Sequence, residues 1–282
     1  MLKKILLGFS IVLSNNLQAQ DDLLKGVENN DSQVVKSAFK SLKIVNLEST
    51  KLASKGDLYF IVSHRFGFLN SGFENFFGLD GATTQLKMVY GLTDDVTLHF
   101  SRSTFAKTYD AGIKYKIISQ KKEGFPFTIV GYNALAINSA MKKEAYPLLE
   151  FKHRLSYNSQ VLVSRKFNDQ LTLQLAPTFF YENVVLNPEQ KNAQFAVGMG
   201  GRYKLSKRFS LNVDYAAHLN RIKNSNFRDP LSVGVDLETG GHIFQMFFTN
   251  ANAMHDTGYL GRTAGNWAKG EISFGFNLVR VF

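Results

Sequence analysis

The chain has 282 residues, contains no cysteine and has a formal net charge of +10. Without cysteine it forms neither disulfides nor thiolate metal sites, and a cysteine nucleophile is excluded. The basic residues are spread along the chain and form no single patch. This distribution argues against a nucleic-acid partner and favours attraction to anionic lipid head groups.

Residues 1–20 have the order of regions that is typical of a secretory signal peptide. Lys3 and Lys4 precede an apolar stretch at 5–13, and the small residue Ala19 lies at the expected cleavage point. The apolar stretch is too short to span a bilayer, and no later run reaches the length of about 18 apolar residues that a transmembrane helix needs. The sequence therefore predicts export without a membrane-spanning helix.

Residues 21–55 are expected to form an N-terminal extension. Val35, Phe39 and Leu42 have helical spacing, which predicts a short amphipathic helix capped by Asp31 or Ser32. Three interpretations stay open for this segment. It is a periplasmic helix, a plug in the mouth of the domain that follows, or a loosely ordered extension.

Residues 56–282 predict a membrane barrel. About twelve segments of strand length follow one another, and in most of them every second residue is apolar. This alternation is typical of a strand that has lipid on one face and a polar lumen on the other. The segments near 127–136 and 242–249 show no clear phase. In the others, the apolar files begin at Leu58, Leu86, Val96, Ala111, Leu155, Leu171, Phe195, Phe209, Leu231 and Ile272.

The links between these segments alternate in length. Long links such as 66–81 and 251–269 alternate with tight ones such as 91–95 and 239–241, which contain Gly or Asp. Short periplasmic turns and long outer loops are the plan of an outer-membrane barrel, whereas a soluble β-sandwich needs no such difference. The predicted fold is all-β: a transmembrane antiparallel up-and-down β-barrel of about 12 strands in the outer membrane.

The same phase predicts a polar lumen. Charges on the lipid face would cost roughly 2 to 4 kcal/mol each at the midplane, so a polar interior follows from stability alone. A satisfied network of hydrogen bonds and ion pairs is therefore favoured over a selectivity filter. A barrel of about twelve strands is intermediate in width between a small barrel filled by side chains and a large one with an aqueous channel. Its interior could therefore be a narrow pore, a binding pocket or a plugged tube. The candidate luminal residues are Lys87, His99, Asp110, Lys114, Arg202, Asp214 and Asp236.

One pair of residues suggests catalysis. His99 and Ser101 share a strand face, with the spacing found in outer-membrane phospholipase barrels. In those enzymes the pair faces lipid, whereas here Leu98 and Phe100 take the outward positions and the pair points inward. A structural or pore-lining role is favoured. The six histidines are scattered without metal-ligand spacing, so neither a metal site nor a cofactor is expected.

Several stretches are similar to an uncharacterised family of Gram-negative outer-membrane β-barrel proteins. They are HRFG at 64–67, FFGLD at 76–80, GRYK at 201–204, the run 231–250 and FGFNLVRVF at 274–282. The resemblance covers residues 56–282. It implies a barrel and no activity, and it adds His64 with Arg65, and Asp236 with His242, as candidate positions.

The sequence thus predicts a narrow channel or a small-solute binding barrel, in which the solute diffuses or docks along the polar lumen. A lipid-modifying enzyme and a closed structural or docking barrel are the alternatives. The expected partners are outer-membrane lipids, lipopolysaccharide and the barrel-assembly machinery, which would recognise the C-terminal strand ending at Phe282. No nucleic acid is expected, and the solute is not defined.

Overall fold

The computed structural model describes residues 34, 35 and 38–282. The expected signal peptide at 1–20 and the first part of the N-terminal extension lie outside the described residues. Within the described part, no helix has both the length and the apolar character needed to cross a membrane.

Twelve antiparallel strands close into one barrel, in which each strand pairs with its neighbours in the chain and the last pairs with the first. The predicted up-and-down barrel is confirmed. The strands are β1 (Leu58–Phe68), β2 (Ala82–Thr93), β3 (Val96–Ser103), β4 (Thr108–Ile118), β5 (Thr128–Asn138), β6 (Leu155–Lys166), β7 (Leu171–Glu182), β8 (Ala193–Lys204), β9 (Phe209–His218), β10 (Leu231–Thr239), β11 (His242–Thr249) and β12 (Ser273–Val281).

The helical elements of the described residues lie in the links at one end of the barrel, and most of these links are long. The single α-helix of the described chain, α1 (Asp256–Gly261), is in the link between β11 and β12. The opposite end has mostly tight turns, such as 94–95 and 240–241. The short 3-10 turns are Leu69–Ser71, Phe73–Gly78, Phe105–Lys107, Phe151–Arg154 and Trp267–Lys269.

Most strands separate an apolar outer face from a polar inner face. In β9, Phe209 and Leu211 are exposed on the outside, while Asn212 and Asp214 are buried inside. Closure joins β1 and β12 in a register that pairs Ser63 with Asn277 and shifts between Arg65 and Phe68. The exposed apolar side chains suit contact with lipid. A closed barrel is also stable there, because the backbone polar groups of its strands are paired within the sheet.

The two segments without a clear phase have apolar residues on both faces. In β5, Val130 and Tyr132 are fully buried inside while Leu135 is exposed outside. In β11, Phe247 is buried while Phe244 is exposed. A strand that is apolar on both faces loses the alternation on which phasing depends.

Residues 38–55, which we call the luminal segment, lie inside the barrel. The expected amphipathic helix is absent from these described residues, which form a hairpin of bends instead. Lys43 pairs with Glu48 in an antiparallel bridge, and the Ile44 N–H donates to the Leu47 carbonyl at 2.8 Å. Residues 44–47 are the tip of this hairpin. The N–H groups of residues 45–47 bind the barrel wall, so they do not form helical hydrogen bonds.

Candidate functional site

The tip of the luminal segment binds a carboxylate on the barrel wall. Asp214, on the inner face of β9, accepts hydrogen bonds at one oxygen, Oδ2, from the backbone N–H groups of Val45, Asn46 and Leu47. The three nitrogen-to-oxygen distances are 3.0, 2.7 and 2.9 Å, respectively. Successive N–H groups of a turn form a concave anion site. The backbone of the tip therefore binds the Asp214 carboxylate as an anion.

The Asn46 side chain extends the attachment to three further strands. Its amide nitrogen donates to Ser232 on β10 at 2.9 Å and to Thr249 on β11 at 3.1 Å. Its amide oxygen accepts from the Arg65 guanidinium on β1 at 3.2 Å. Asn46 is buried with 1% exposure, so these bonds replace the water that its amide would otherwise bind.

Two glycines on β8 make room for the tip. A Cβ atom at Gly200 would lie 2.4 Å from the Ile44 side chain, and one at Gly198 would lie 2.9 Å from Leu47. Both distances are shorter than van der Waals contact. The alternate glycines therefore form a notch on the inner face of β8 that receives the apolar side chains of the tip.

Glu48 forms the centre of a buried charge cluster. One carboxylate oxygen lies 2.9 Å from the Lys87 ammonium on β2, and the other lies 2.9 Å from the Lys114 ammonium on β4. Lys43, in the luminal segment itself, is 3.5 Å away. Burial acts to raise the pKa of the Glu48 carboxyl, but the positive charges of Lys114, Lys87 and Lys43 hold that pKa well below its ordinary value. Glu48 is therefore ionised at neutral pH.

Lys114 also binds the backbone of the luminal segment. Its ammonium donates to the carbonyl oxygens of Leu42, Ser49 and Lys51 at 3.1, 2.9 and 3.3 Å. Among the described residues, the hydrogen-bond acceptors of Lys114 and Lys87 all belong to the luminal segment. This segment thus supplies the carboxylate that the two lysines of the wall share and the carbonyl groups that Lys114 binds.

Uncharged polar groups hold the remainder of the luminal segment. The Thr50 hydroxyl lies 2.6 Å from that of Ser164 on β6, and the Thr50 N–H donates to the Gln174 side chain on β7 at 3.0 Å. Near the short-turn end, the Ala53 N–H donates to Thr97 on β3 at 3.0 Å. The attachment therefore runs around much of the wall.

Apolar contacts are confined to small clusters. Close to the short-turn end, Leu42 and Ala53 pack against Tyr59, Val89 and other inward residues of the wall. Leu47, at the tip, packs in a second cluster with residues of β7, β8, β9 and the β11–β12 link. Leu52 contacts a third cluster on β5, β6 and β7.

The link between β11 and β12, residues 250–272, fills the barrel from the opposite end, and we call it the inner loop. Its helix α1 is buried. Asp256 accepts hydrogen bonds from the Tyr132 hydroxyl at 2.8 Å and from Gln160 at 2.9 Å. Arg262 donates through Nε to Glu182 at 2.7 Å. These bonds attach the loop to β5, β6 and β7.

The inner loop and the luminal segment meet within the barrel. The Lys43 ammonium donates to the Met254 carbonyl at 3.3 Å, and Leu47 shares a cluster with Tyr259 and Leu260. A cavity of about 10 Å³ lies between the luminal segment, Met254 and the wall. The two segments together occupy much of the lumen.

His99 and Ser101 do not form a nucleophile and base pair. The Ser101 hydroxyl donates to Asp110, and the His99 Nε2 atom lies 3.2 Å from the other oxygen of the same carboxylate. Gln85 donates to Asp110 as well, at 3.2 Å. A serine nucleophile requires an imidazole to accept its proton. Here Asp110 lies between the two, in an arrangement that fits a satisfied hydrogen-bond network.

The structure places the seven predicted luminal residues on the inner face of the barrel and separates them into small groups. Lys87 and Lys114 meet through Glu48, and His99 pairs with Asp110. The other three lie outside these two groups. Asp214 binds the tip, Asp236 accepts from Gln245 at 2.9 Å, and Arg202 is buried with an unpartnered Nε among the described atoms. Over residues 34–35 and 38–282, no group of three or more His, Asp or Glu residues is arranged to hold a metal ion.

Sequence reasoning did not identify Glu48, Arg65 as a luminal cation, or the inner loop. One signal was available for Glu48, which is the only acidic residue between Asp31 and Asp57. A lone acid in an otherwise basic extension that precedes a barrel with inward lysines indicates an ion pair with them. For the inner loop, the signal was a long link rich in small and apolar residues.

A closed antiparallel barrel with an apolar outer surface and a polar, filled interior defines a transmembrane β-barrel protein of the outer membrane. The chain belongs to the DUF5777 family, described as a membrane bound beta barrel domain, whose model matches residues 39–282. The match begins within the luminal segment. The protein therefore lies in the membrane with its outer face against lipid.

Solved porins and channels have a similar fold. The NanC porin is 10% identical, with a TM-score of 0.51, and the match covers 79% of this chain and 98% of that chain. The COG4313 outer membrane channel from Pseudomonas putida F1 is 13% identical over 82% of this chain and 97% of that one, with a TM-score of 0.47. At these identities the likeness describes the fold alone. No curated protein matches the sequence.

Proposed function

We propose that the protein is a narrow outer-membrane channel for a small solute, and that the luminal segment closes it. The observation that carries the proposal is the polar wall behind that segment. Thr97, Ser164 and Gln174 each bind it with a hydroxyl or an amide group. Water can replace these bonds when the segment leaves, because polar groups tolerate exposure to water and apolar groups do not.

The buried charges also support a segment that can leave. Replacing a buried ion pair by packed apolar residues is often neutral or stabilising. A barrel filled only for stability therefore has little need of Glu48 between Lys87 and Lys114. The inner loop is held in a similar way, by Arg262 on Glu182. In this proposal both segments move aside, and the solute diffuses along the polar wall.

An engineered disulfide tests the proposal directly, because the chain has no cysteine of its own. The γ-oxygens of Thr50 and Ser164 are 2.6 Å apart. Cysteines at these two positions are thus within reach of each other. In a planar bilayer, the double variant T50C/S164C is expected to be silent when oxidised and to conduct in steps after reduction.

The two single variants, T50C and S164C, are the matched controls. Each should conduct with and without oxidant, since neither can cross-link the luminal segment to β6. Silence of the reduced double variant and of both single variants would contradict the channel.

A closed structural or docking barrel is the second candidate. It is favoured by the joint filling of the lumen, where the inner loop and the luminal segment meet at Lys43 and Met254. In that case the conductance stays at zero in every redox state. The lipid-modifying alternative is not favoured, because the Ser101 hydroxyl donates to Asp110 and not to an imidazole.

We extend the proposal to two partners at the barrel surface. The C-terminal strand β12 carries outward Phe276 and Leu278 and is followed by the exposed Phe282. This end is proposed as the segment recognised by the barrel-assembly machinery. At the long-loop end, the outer rim is proposed to contact lipopolysaccharide. Neither partner alters the luminal mechanism.

A further inference from the structure

The two lysines of the wall that bind Glu48 define what must take its place. Lys87 and Lys114 each lie 2.9 Å from a different oxygen of this one carboxylate, so together they form a two-point carboxylate site. From this geometry, and resting on the proposed channel function, we infer that the solute carries a carboxylate which displaces Glu48 from between Lys87 and Lys114.

Withdrawal of the luminal segment leaves both lysines without their acceptors. Glu48 is the acceptor for Lys87, and the acceptors for Lys114 are Glu48 and three backbone carbonyl groups of the same segment. The two ammonium groups have side-chain exposures of 6% and 4%. Both values apply while the luminal segment covers the site. Its withdrawal exposes the two ammonium groups to water and leaves these like charges without the carboxylate that they share. A solute anion that takes the site restores this pairing and therefore makes the withdrawn state more favourable.

The carbonyl bonds further define the solute. Lys114 binds three carbonyl oxygens besides the carboxylate, and Gln174 donates to the Glu48 carbonyl at 2.7 Å. The site therefore fits a carboxylate with further oxygen acceptors beside it. On the opposite wall, Asp214 accepts only N–H groups from the segment. That wall fits neutral donors and does not call for a cationic solute.

Displacement can be measured without conductance. Thr50 is buried, with 5% exposure, and its replacement T50C would be the sole thiol of the chain. The rate of its reaction with a hydrophilic maleimide reports how often the luminal segment leaves the wall. The probes are acetyl-glutamate amide, which mimics residue 48, and acetyl-glutamine amide, which differs from it by the carboxylate alone.

We expect the glutamate probe to accelerate labelling in a saturable way and the glutamine probe to leave the rate unchanged. In T50C/K87Q, the labelling rate without probe should rise and the maximal acceleration by the glutamate probe should fall, each by about tenfold, because the loss of one hydrogen bond to a charged group weakens the binding of Glu48 and of the probe alike. T50C/K116Q is the matched control. Lys116 is on the same strand as Lys114 but pairs with Asp95 at the rim, so this variant should respond like T50C.

Equal acceleration by both probes would overturn the inference, as would an unchanged response of T50C/K87Q. Folding of each variant is checked by the shift in electrophoretic mobility that a folded barrel shows on heating. T50C/K87R, which keeps the charge, should recover most of the response. If reduced T50C/S164C conducts but the glutamate probe has no specific effect on labelling, the channel proposal stands and the carboxylate inference is wrong. If the glutamate probe has a specific effect but the barrel does not conduct, the carboxylate site stands and the channel proposal is wrong.

Discussion

The Oδ2 atom of Asp214 lies 2.7 Å from the backbone nitrogen of Asn46, although the two residues are 168 positions apart in the chain. The same oxygen accepts two further backbone N–H groups of the tip. One wall side chain therefore fixes the backbone conformation of a turn that has no regular secondary structure of its own.

Replacing this carboxylate should release the tip. Asn at position 214 keeps the shape but loses the charge, and hydrogen bonds to a charged group contribute about 1.5 to 3 kcal/mol. In D214N, the amide hydrogens of residues 45–47 should exchange faster by about ten- to a hundredfold, measured by hydrogen exchange with mass spectrometry. Asp80 is exposed, and D80N should leave this rate unchanged. Unaltered exchange in D214N would show that packing holds the tip without the carboxylate.

The notch on β8 should be sensitive to side-chain size. In G200L, the new side chain would occupy the space of Ile44 and force the tip away from the wall. Overpacking of this kind costs about 1 to 3 kcal/mol. Labelling of T50C should therefore be faster in the G200L background. Gly240 has open space where a Cβ would lie, so G240A serves as the control. An unchanged labelling rate in G200L would place the tip outside the notch.

Glu48 should matter for the stability of the whole barrel. E48Q leaves Lys87 and Lys114 buried without their counter-ion. Removing one partner of a buried ion pair costs about 3 to 5 kcal/mol. We expect a lower midpoint of urea unfolding in detergent for E48Q, while E189Q, at an exposed loop position, should unfold like the wild type. Equal midpoints would mean that water reaches the lysines in the native state.

Glu182 should hold the inner loop. In E182Q, the Arg262 guanidinium loses its carboxylate partner, and residues 250–272 should open more often. Cleavage by trypsin after Arg262 should then be faster, as followed by mass spectrometry of the fragments. E144Q, which alters an exposed glutamate of another loop, should cleave like the wild type. Resistance of E182Q would indicate that the bonds of Asp256 suffice to hold the loop.

The barrel was predictable because the type of each strand residue depends on whether that residue faces lipid or the lumen. In β9, lipid on one side and a polar lumen on the other place Leu211 and Val213 on alternate positions from Asn212 and Asp214. Phasing was lost only where Tyr132 on β5 and Phe247 on β11 are buried inside the lumen. At these positions apolar side chains pack inside the lumen where water would otherwise lie, so both faces of the strand are apolar.

The site was only partly predictable. The period of two already placed Lys87 and Asp214 on the inner face, but it carried no information about their partners. The helical spacing of Phe39 and Leu42 suggested an amphipathic helix, whereas these side chains are buried in a segment that forms bends. A short polar segment takes its conformation from the wall that its backbone binds, so its own sequence does not define it.

By itself, the sequence determined the class of the molecule: a twelve-stranded membrane barrel with lipid-facing apolar files, tight turns at one end and long loops at the other. That information is local, since each side chain reports only whether it meets lipid or the lumen. Only the tertiary structure decided that the luminal segment lies inside the barrel, that Glu48 lies between Lys87 and Lys114, and that the link after β11 folds inward. These features depend on contacts between distant parts of the chain, and they form only after the barrel brings its strands around one shared interior.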